Sequence, residues 1–129
     1  MIQVNLFVGS RYPVDRKKIR RRAQTCLQSH SIENAQIDIS IVGKRKIREL
    51  NESKLQHSGT TDVLSFPQHD KQKLDDFPLP SGMPPHVGDV VISFPEAVHT
   101  ARRYGKLVDE QLCFYLEHGI MHLLGYHHE

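Results

Sequence analysis

The sequence predicts an α/β fold of the α+β kind, with a four-stranded mixed sheet packed with helices around a buried central helix. Strand-like and helix-like segments alternate in the order β-α-β-α-β-β-α-α, and the last helical segment is apolar nearly all round. The chain has 129 residues, of which 38% are hydrophobic and 25% charged. These values are typical of one globular domain, so we expect a single domain over residues 1–129.

The first half of the chain predicts two strands and two amphipathic helices. Apolar residues alternate with polar ones over residues 2–8 and 37–41, which is the period of a strand. From Asp15, apolar residues recur at the i, i+4, i+7 and i+8 positions of a helix whose outer face is basic. A second helix is predicted from Lys44 to about Gln56.

The second half predicts two further strands, over residues 62–66 and 89–94, and two helices. Residues 67–87 between these strands contain five prolines, and loops of this length are usually functional or mobile. Ser93 is a suitable N-cap for the next helix, and Gly105 is a suitable residue to end it. The last helix, over residues 107–124, is predicted to be the buried central helix.

Charge and hydropathy limit the functions available to the chain. Residues 1–30 contain seven Lys or Arg and one Asp, and residues Arg16, Lys17, Arg20 and Arg21 belong to this basic segment. Such a concentration of positive charge fits contact with a polyanion, although a solvated helix face has the same pattern.

No apolar run reaches the roughly 18 residues of a membrane span, and no signal-peptide pattern opens the chain. We therefore expect a cytoplasmic protein without a membrane partner, whose two cysteines, Cys26 and Cys113, are reduced.

Four of the nine histidines lie in the last twelve residues. His118 and His122 are spaced i, i+4, which places both imidazoles on one helix face. Gly125 can end the helix with a positive φ and bring His127 or His128 back to the same ion. Three imidazoles and one open position are the usual design of a catalytic zinc site. We expect one zinc ion per chain, with nickel or cobalt as alternatives.

The spacing H-x3-H-x2-G-x2-H matches the ligand spacing of the metzincin metallopeptidases and favours His128 as the third ligand. The peptidase motif has a general-base Glu directly after its first His, where this chain has Gly119. Glu117 points about 100° away from His118 on the helix, so it is a poor substitute. The sequence thus predicts the metal-ligand spacing of these peptidases but lacks the glutamate that serves as their general base.

Three segments, in this order along the chain, resemble the YbeY family of bacterial endoribonucleases. Residues 60–67 read T-T-D-V-L-S-F-P, residues 88–93 read G-D-V-V-I-S, and residues 118–128 read H-G-I-M-H-L-L-G-Y-H-H; Leu50-Asn51 fits as well. The family pattern has Asp at the position of His127. It also has Tyr-Arg where Lys54 and Leu55 stand, and that Arg is thought to serve RNA binding or catalysis.

The resemblance implies a zinc-dependent, single-strand-preferring endoribonuclease that acts in 3′-end maturation of small-subunit ribosomal RNA and in ribosome quality control. It implies His118, His122 and His128 as zinc ligands, a basic cleft beside the metal, and ribosomal RNA and the ribosome or its small subunit as partners, with no DNA expected.

The remaining residues of the expected site are proposed from their positions in the sequence. Candidates to line the cleft as catalytic groups are Thr61, Ser65 and His127, although the two hydroxyls also fit as backbone partners at a strand edge. Asp62 and Asp89 are interpreted as turn or supporting groups. RNA contacts are assigned to the basic segment and to Lys54.

Water and the ribose 2′-OH both remain open as the nucleophile. Two other functions also stay open. One is a non-catalytic ribosome-associated factor with a structural zinc site, and the other is a metallopeptidase-like hydrolase.

Overall fold

The computed structural model describes residues 1–54, 61–67 and 84–125. The strands are β1 (Ile2–Val8), β2 (Ala35–Val42), β3 (Val63–Pro67) and β4 (His86–Ser93). The helices in the described residues are α1 (Arg16–Ser29), α2 (Lys44–Lys54), α3 (Phe94–Tyr104) and α4 (Val108–Leu123). Their order along the chain is the predicted one, and the predicted α/β class with a four-stranded sheet is confirmed.

The sheet is mixed, with the strand order β1-β2-β4-β3. β1 and β4 both run parallel to the central strand β2, whereas β3 is antiparallel to β4 and forms an edge. The sequence predicted the four strands but not their order. Because β4 lies between β2 and β3, residues that are far apart in the chain meet across it.

The two faces of the sheet have different coverings. On the three-helix face, α1, α3 and α4 pack against the strands and enclose the main core, whose most buried residues include Ile19, Ile39, Val90, Ala97 and Leu116. On the opposite α2 face, a smaller cluster joins Ile47 of α2 to Leu64 and Val91. Side chains alternate between the faces along each strand.

The predicted helix signals are borne out at both ends of α3. The Ser93 hydroxyl accepts a hydrogen bond from the Glu96 backbone N–H at 3.3 Å, which caps the helix. Gly105 follows the helix with φ 65°, the left-handed conformation expected of a residue that ends a helix. Asp15 caps α1 by accepting from the Lys18 backbone N–H at 3.1 Å.

β4 begins earlier than predicted, at His86 rather than at Asp89, and ends at Ser93 because Phe94 already belongs to α3. Gln36 of β2 extends the pairing between β2 and β4 to the two prolines that precede β4. Its backbone N–H donates to the Pro85 carbonyl at 2.8 Å and its side-chain amide donates to the Pro84 carbonyl at 2.9 Å. The rest of the predicted Pro-rich loop, residues 68–83, lies outside the described residues.

α4 is the longest of the described helices and has eight buried residues, of which Leu112, Leu116 and Ile120 are fully buried. Phe114 on the same helix is 57% exposed. Cys26 and Cys113 are both free thiols, and burial raises the pKa of each. In the described part of the chain, no helix has the length and apolarity needed to cross a bilayer.

Candidate metal centre

His118 and His122 lie one turn apart on α4, and the structure brings their imidazoles together. Their Nε2 atoms are 3.0 Å apart, and the ring centroids are 4.6 Å apart. Nitrogen ligands about 2.0–2.1 Å from one tetrahedral zinc ion are roughly 3.3–3.4 Å apart. A small rotation of either imidazole would bring the two ring nitrogens to the spacing of one ion.

The histidine pair opens into a cavity of about 240 Å³ between α4 and the edge strand β3. Its lining comprises Thr61, Asp62, Val63, Leu64, Ser65, His118, Gly119 and His122. Leu64 packs on the α2 face and Val63 on the three-helix face, so alternation turns the Ser65 side chain toward α4. Thr61 and Ser65, both proposed from the sequence, thus share a cavity with the histidine pair.

Gly119 explains why this helix lies so close to the sheet. A Cβ atom at this position would come within 2.7 Å of Val90 Cγ1 and 3.4 Å of Val63 Cγ2. The first distance is shorter than packed carbon atoms tolerate, so a larger side chain would push α4 away from the strands. The position that carries the general-base Glu in the metzincin motif therefore has no room for a glutamate in this fold.

Asp62 organises the start of β3. Its Oδ1 accepts from the Val63 backbone N–H at 2.8 Å and from the Thr61 hydroxyl at 3.4 Å. Its carbonyl accepts from the Ser93 backbone N–H at 2.9 Å. These bonds agree with a supporting role for Asp62 and fix the segment that lines the cavity.

The basic residues of α1 lie apart from this cavity. Arg16, Lys17, Arg20 and Arg21 are exposed, and none of them is among its lining residues. The inner basic residues of α1 pair with α4 instead, Lys18 with Glu110 and Arg22 with Glu117 at 3.0 Å. The pairing with Lys18 lowers the pKa of Glu110 and raises that of Lys18.

Other predicted site residues are placed incompletely. Lys54 is the last residue of α2. His127, His128 and Leu55 lie outside the described residues. Three assignments therefore stay predictions. They are His128 as the third zinc ligand, His127 at the position of the family Asp and Leu55 at the position of the family Arg.

A second group of metal-ligating side chains, not foreseen from the sequence, lies on the α2 face. One ligand atom each of Asp38, His86 and Asp89 lies within 4.8 Å of the other two, so the group could hold a metal ion. Asp89 lies inside β4, in agreement with the strand predicted over residues 89–94, and pairs with Asp38 of β2 and Phe66 of β3. No motif spacing joins residues 38 and 86, which only the sheet register brings together.

The fold and the histidine pair define a class of protein, an α/β domain with a candidate metal centre between helix α4 and an edge strand. The sequence profile described as Endoribonuclease YbeY matches residues 8–129. The chain belongs to this family.

Individual relatives support the assignment. The chain is 41% identical to Endoribonuclease YbeY of Anaeromyxobacter sp. (strain Fw109-5), over 88% of this chain and 54% of that protein. It is 35% identical to Endoribonuclease YbeY of Dehalococcoides mccartyi (strain CBDB1), over 99% of this chain and 82% of that protein. The chain thus spans about half the length of some curated relatives and most of the length of others.

A solved structure has the same fold. The solution structure of TM1509 from Thermotoga maritima superposes with a TM-score of 0.61 at 23% sequence identity, covering 100% of this chain and 75% of that chain.

Proposed function

We propose that this protein is a zinc-dependent, single-strand-preferring endoribonuclease that acts in 3′-end maturation of small-subunit ribosomal RNA. The observation that carries the proposal is the histidine pair, with Nε2 atoms 3.0 Å apart, at a cavity lined by the hydroxyl-bearing residues Thr61 and Ser65. The name of the matching family and its relatives, Endoribonuclease YbeY, supports the reaction class.

The proposed zinc ligands are His118, His122 and His128. The spacing of the first two is close to that of one ion, and the sequence places the third just beyond Gly125, which has φ 91° and lies at the helix end. When bound, zinc supplies Lewis acidity at a phosphoryl oxygen. Nickel and cobalt are the alternative ions for the same donor set.

The chain's own groups would orient the RNA at this cavity. The Ser65 hydroxyl can donate a hydrogen bond to a phosphate oxygen, and the Thr61 hydroxyl, which donates its single proton to Asp62 Oδ1, would turn that proton away from Asp62 to do the same. Val63 lines the cavity next to these groups, and both Val63 and Val90 pack against α4 at Gly119. His127 is proposed as a further catalytic group in place of the family Asp.

The proposed RNA-binding surface combines Lys54 with Arg16, Lys17, Arg20 and Arg21 of α1. The four α1 side chains are exposed, so phosphate contacts would need no rearrangement of the core. We further propose that the chain acts as one domain in the cytoplasm, with the ribosome or its small subunit as partner.

The test is cleavage of an unstructured RNA that carries a ribosomal 3′ precursor end, by zinc-loaded protein and by the same protein after chelation. We expect cutting that stops on chelation and returns when zinc is added back. His122→Ala should not cut, whereas His99→Ala, a change at an exposed histidine on α3, should cut normally. If folded, zinc-loaded protein does not cut, the nuclease proposal fails and a non-catalytic ribosome-associated role with structural zinc replaces it.

A further inference from the structure

We propose that Asp38, His86 and Asp89 form a second divalent-metal site, on the α2 face of the sheet, that takes a first-row transition ion such as Mn²⁺ or Zn²⁺. This site is separate from the histidine pair on α4 and goes beyond the proposed nuclease function. Its existence does not depend on whether the chain cleaves RNA.

The sheet brings the three side chains to one face by register and by a bulge. Asp38 of β2 pairs directly with Asp89 of β4. His86 precedes Asp89 by three residues, and simple alternation would turn it to the opposite face. The register shifts between Gln36 and Ile37, whose partners are His86 and Gly88, so Val87 is an extra residue on β4. Bulges of this kind redirect side chains, and here the bulge directs His86 toward the two carboxylates.

The backbone of β4 is specialised at the same point. Gly88 has φ 149°, and a Cβ there would come within 2.5 Å of the Phe66 carbonyl oxygen. Only glycine fits both the conformation and the close approach of β3. The position of His86 is therefore fixed by the neighbouring backbone.

The ligand atoms converge. His86 Nε2 lies 3.5 Å from Asp38 Oδ2 and 3.9 Å from Asp89 Oδ1. Oxygen and nitrogen ligands about 2.0–2.2 Å from one ion are roughly 3.0–3.5 Å apart, so small side-chain rotations suffice to close the site. The Asn5 side-chain amide donates to Asp38 Oδ1 at 2.8 Å, which orients that carboxylate and leaves Oδ2 toward His86.

A second observation points to a missing partner. His86 Nε2 is inaccessible to solvent and has no hydrogen-bond partner among the described residues. Buried polar atoms in folded proteins nearly always have one, so a ring nitrogen that lies 3.5 Å and 3.9 Å from two carboxylate oxygens without a hydrogen bond to either needs an explanation. A metal ion coordinated by this nitrogen would satisfy it.

The electrostatics favour a cation at the same place. Burial raises the pKa of Asp89, and the neighbouring Asp38 charge raises it further, while His86 opposes the rise. A divalent ion would stabilise both carboxylates in their ionised form. Because imidazole is one ligand, transition ions should bind better than Mg²⁺ or Ca²⁺.

Open coordination positions would face a cavity of about 350 Å³ that Asp38 and Asp89 line together with Ser40, Phe7, Leu50 and Phe66. This cavity lies on the α2 face, whereas the histidine pair opens beside α4. The two metals would therefore be held by separate residues and separate elements.

The test uses a His118→Ala/His122→Ala variant, in which only the second site should remain, titrated with Mn²⁺ after chelation. Free Mn²⁺ is counted by electron paramagnetic resonance. We expect about one equivalent of saturable binding, which falls at least tenfold in affinity when Asp38→Asn/Asp89→Asn is added. A matched control, Glu33→Gln/Glu49→Gln, removes two exposed carboxylates elsewhere and should leave binding unchanged.

Wild-type protein provides a measurement that needs no variant. After one equivalent of zinc has been added to fill the histidine site, substoichiometric Mn²⁺ should broaden the amide resonances of Asp38 and Asp89 first. The proposal is overturned if those resonances are unaffected, or if binding survives the double Asn change. It is also overturned if His86 is an imidazolium paired with the two carboxylates and Mn²⁺ does not displace its proton.

Discussion

The two groups of metal-ligating side chains lie on opposite faces of one sheet and are built in different ways. His118 and His122 come from a single helix, four residues apart. Asp38, His86 and Asp89 come from two parallel strands and depend on register and on a bulge. The comparison shows that a pair of neighbouring side chains on one helix can be predicted from spacing, whereas a group that a sheet brings together becomes visible only once the strand order is known.

The largest expected effect is the loss of zinc from the histidine pair in His122→Ala. Removing one of three imidazoles should lower zinc affinity by more than the 10–100-fold that loss of a supporting hydrogen bond costs. Zinc content is measured by mass spectrometry after dialysis, in the Asp38→Asn/Asp89→Asn background so that the other face does not contribute. His99→Ala is the control, and full zinc occupancy in His122→Ala would rule out His122 as a ligand.

A second prediction tests whether the RNA-binding surface beside the histidine pair extends onto the exposed basic residues of α1. Arg20→Ala/Arg21→Ala should weaken single-stranded RNA binding and lower the slope of log affinity against log salt by about 1.4, because each lost phosphate contact contributes about 0.7. Binding is measured by fluorescence anisotropy at several salt concentrations. Arg102→Ala/Arg103→Ala, two exposed arginines in the last turn of α3, is the matched control. An unchanged slope in the α1 variant would remove this helix from the RNA surface.

The sequence predicted those features that repeat locally. The order of the elements, the Ser93 cap, the Gly105 helix end and the histidine pair all follow from periodicity or from short motifs. The strand order and the start of β4 did not, because they depend on contacts between distant segments such as Gln36 with Pro85. The grouping of Asp38, His86 and Asp89 was missed for the same reason, since the sheet brings these side chains together.

A third prediction concerns the close approach of α4 to the sheet. Gly119→Ala adds a methyl group 2.7 Å from Val90 Cγ1, and such overpacking costs roughly 1–3 kcal/mol. Alanine regains about 1 kcal/mol through its higher helix propensity. We expect a net loss of up to about 2 kcal/mol in the free energy of unfolding, measured by urea denaturation.

The contact with Val90 can be isolated by a double-mutant cycle. In a Val90→Ala background the added methyl group has space, so Gly119→Ala should cost nothing or stabilise the protein. If Gly119→Ala lowers the free energy of unfolding equally in both backgrounds, contact with Val90 does not explain why only a small residue fits at position 119.

The smallest effect is expected from Asp89→Asn in metal-free protein. Because folding raises the pKa of Asp89, chiefly by burial and then by the Asp38 charge against the opposing His86, its ionised form is destabilised in the folded state. The wild type therefore loses stability as pH rises from the ordinary range of an aspartate through the raised pKa of Asp89, whereas the Asn variant does not.

At neutral pH the Asp89→Asn variant should have a slightly higher melting temperature than the wild type, and this difference in melting temperature should vanish in acid. A difference in melting temperature that stays constant with pH would contradict the proposed origin. Added Mn²⁺ should reverse the order at neutral pH, since only the wild type retains both carboxylates to bind it.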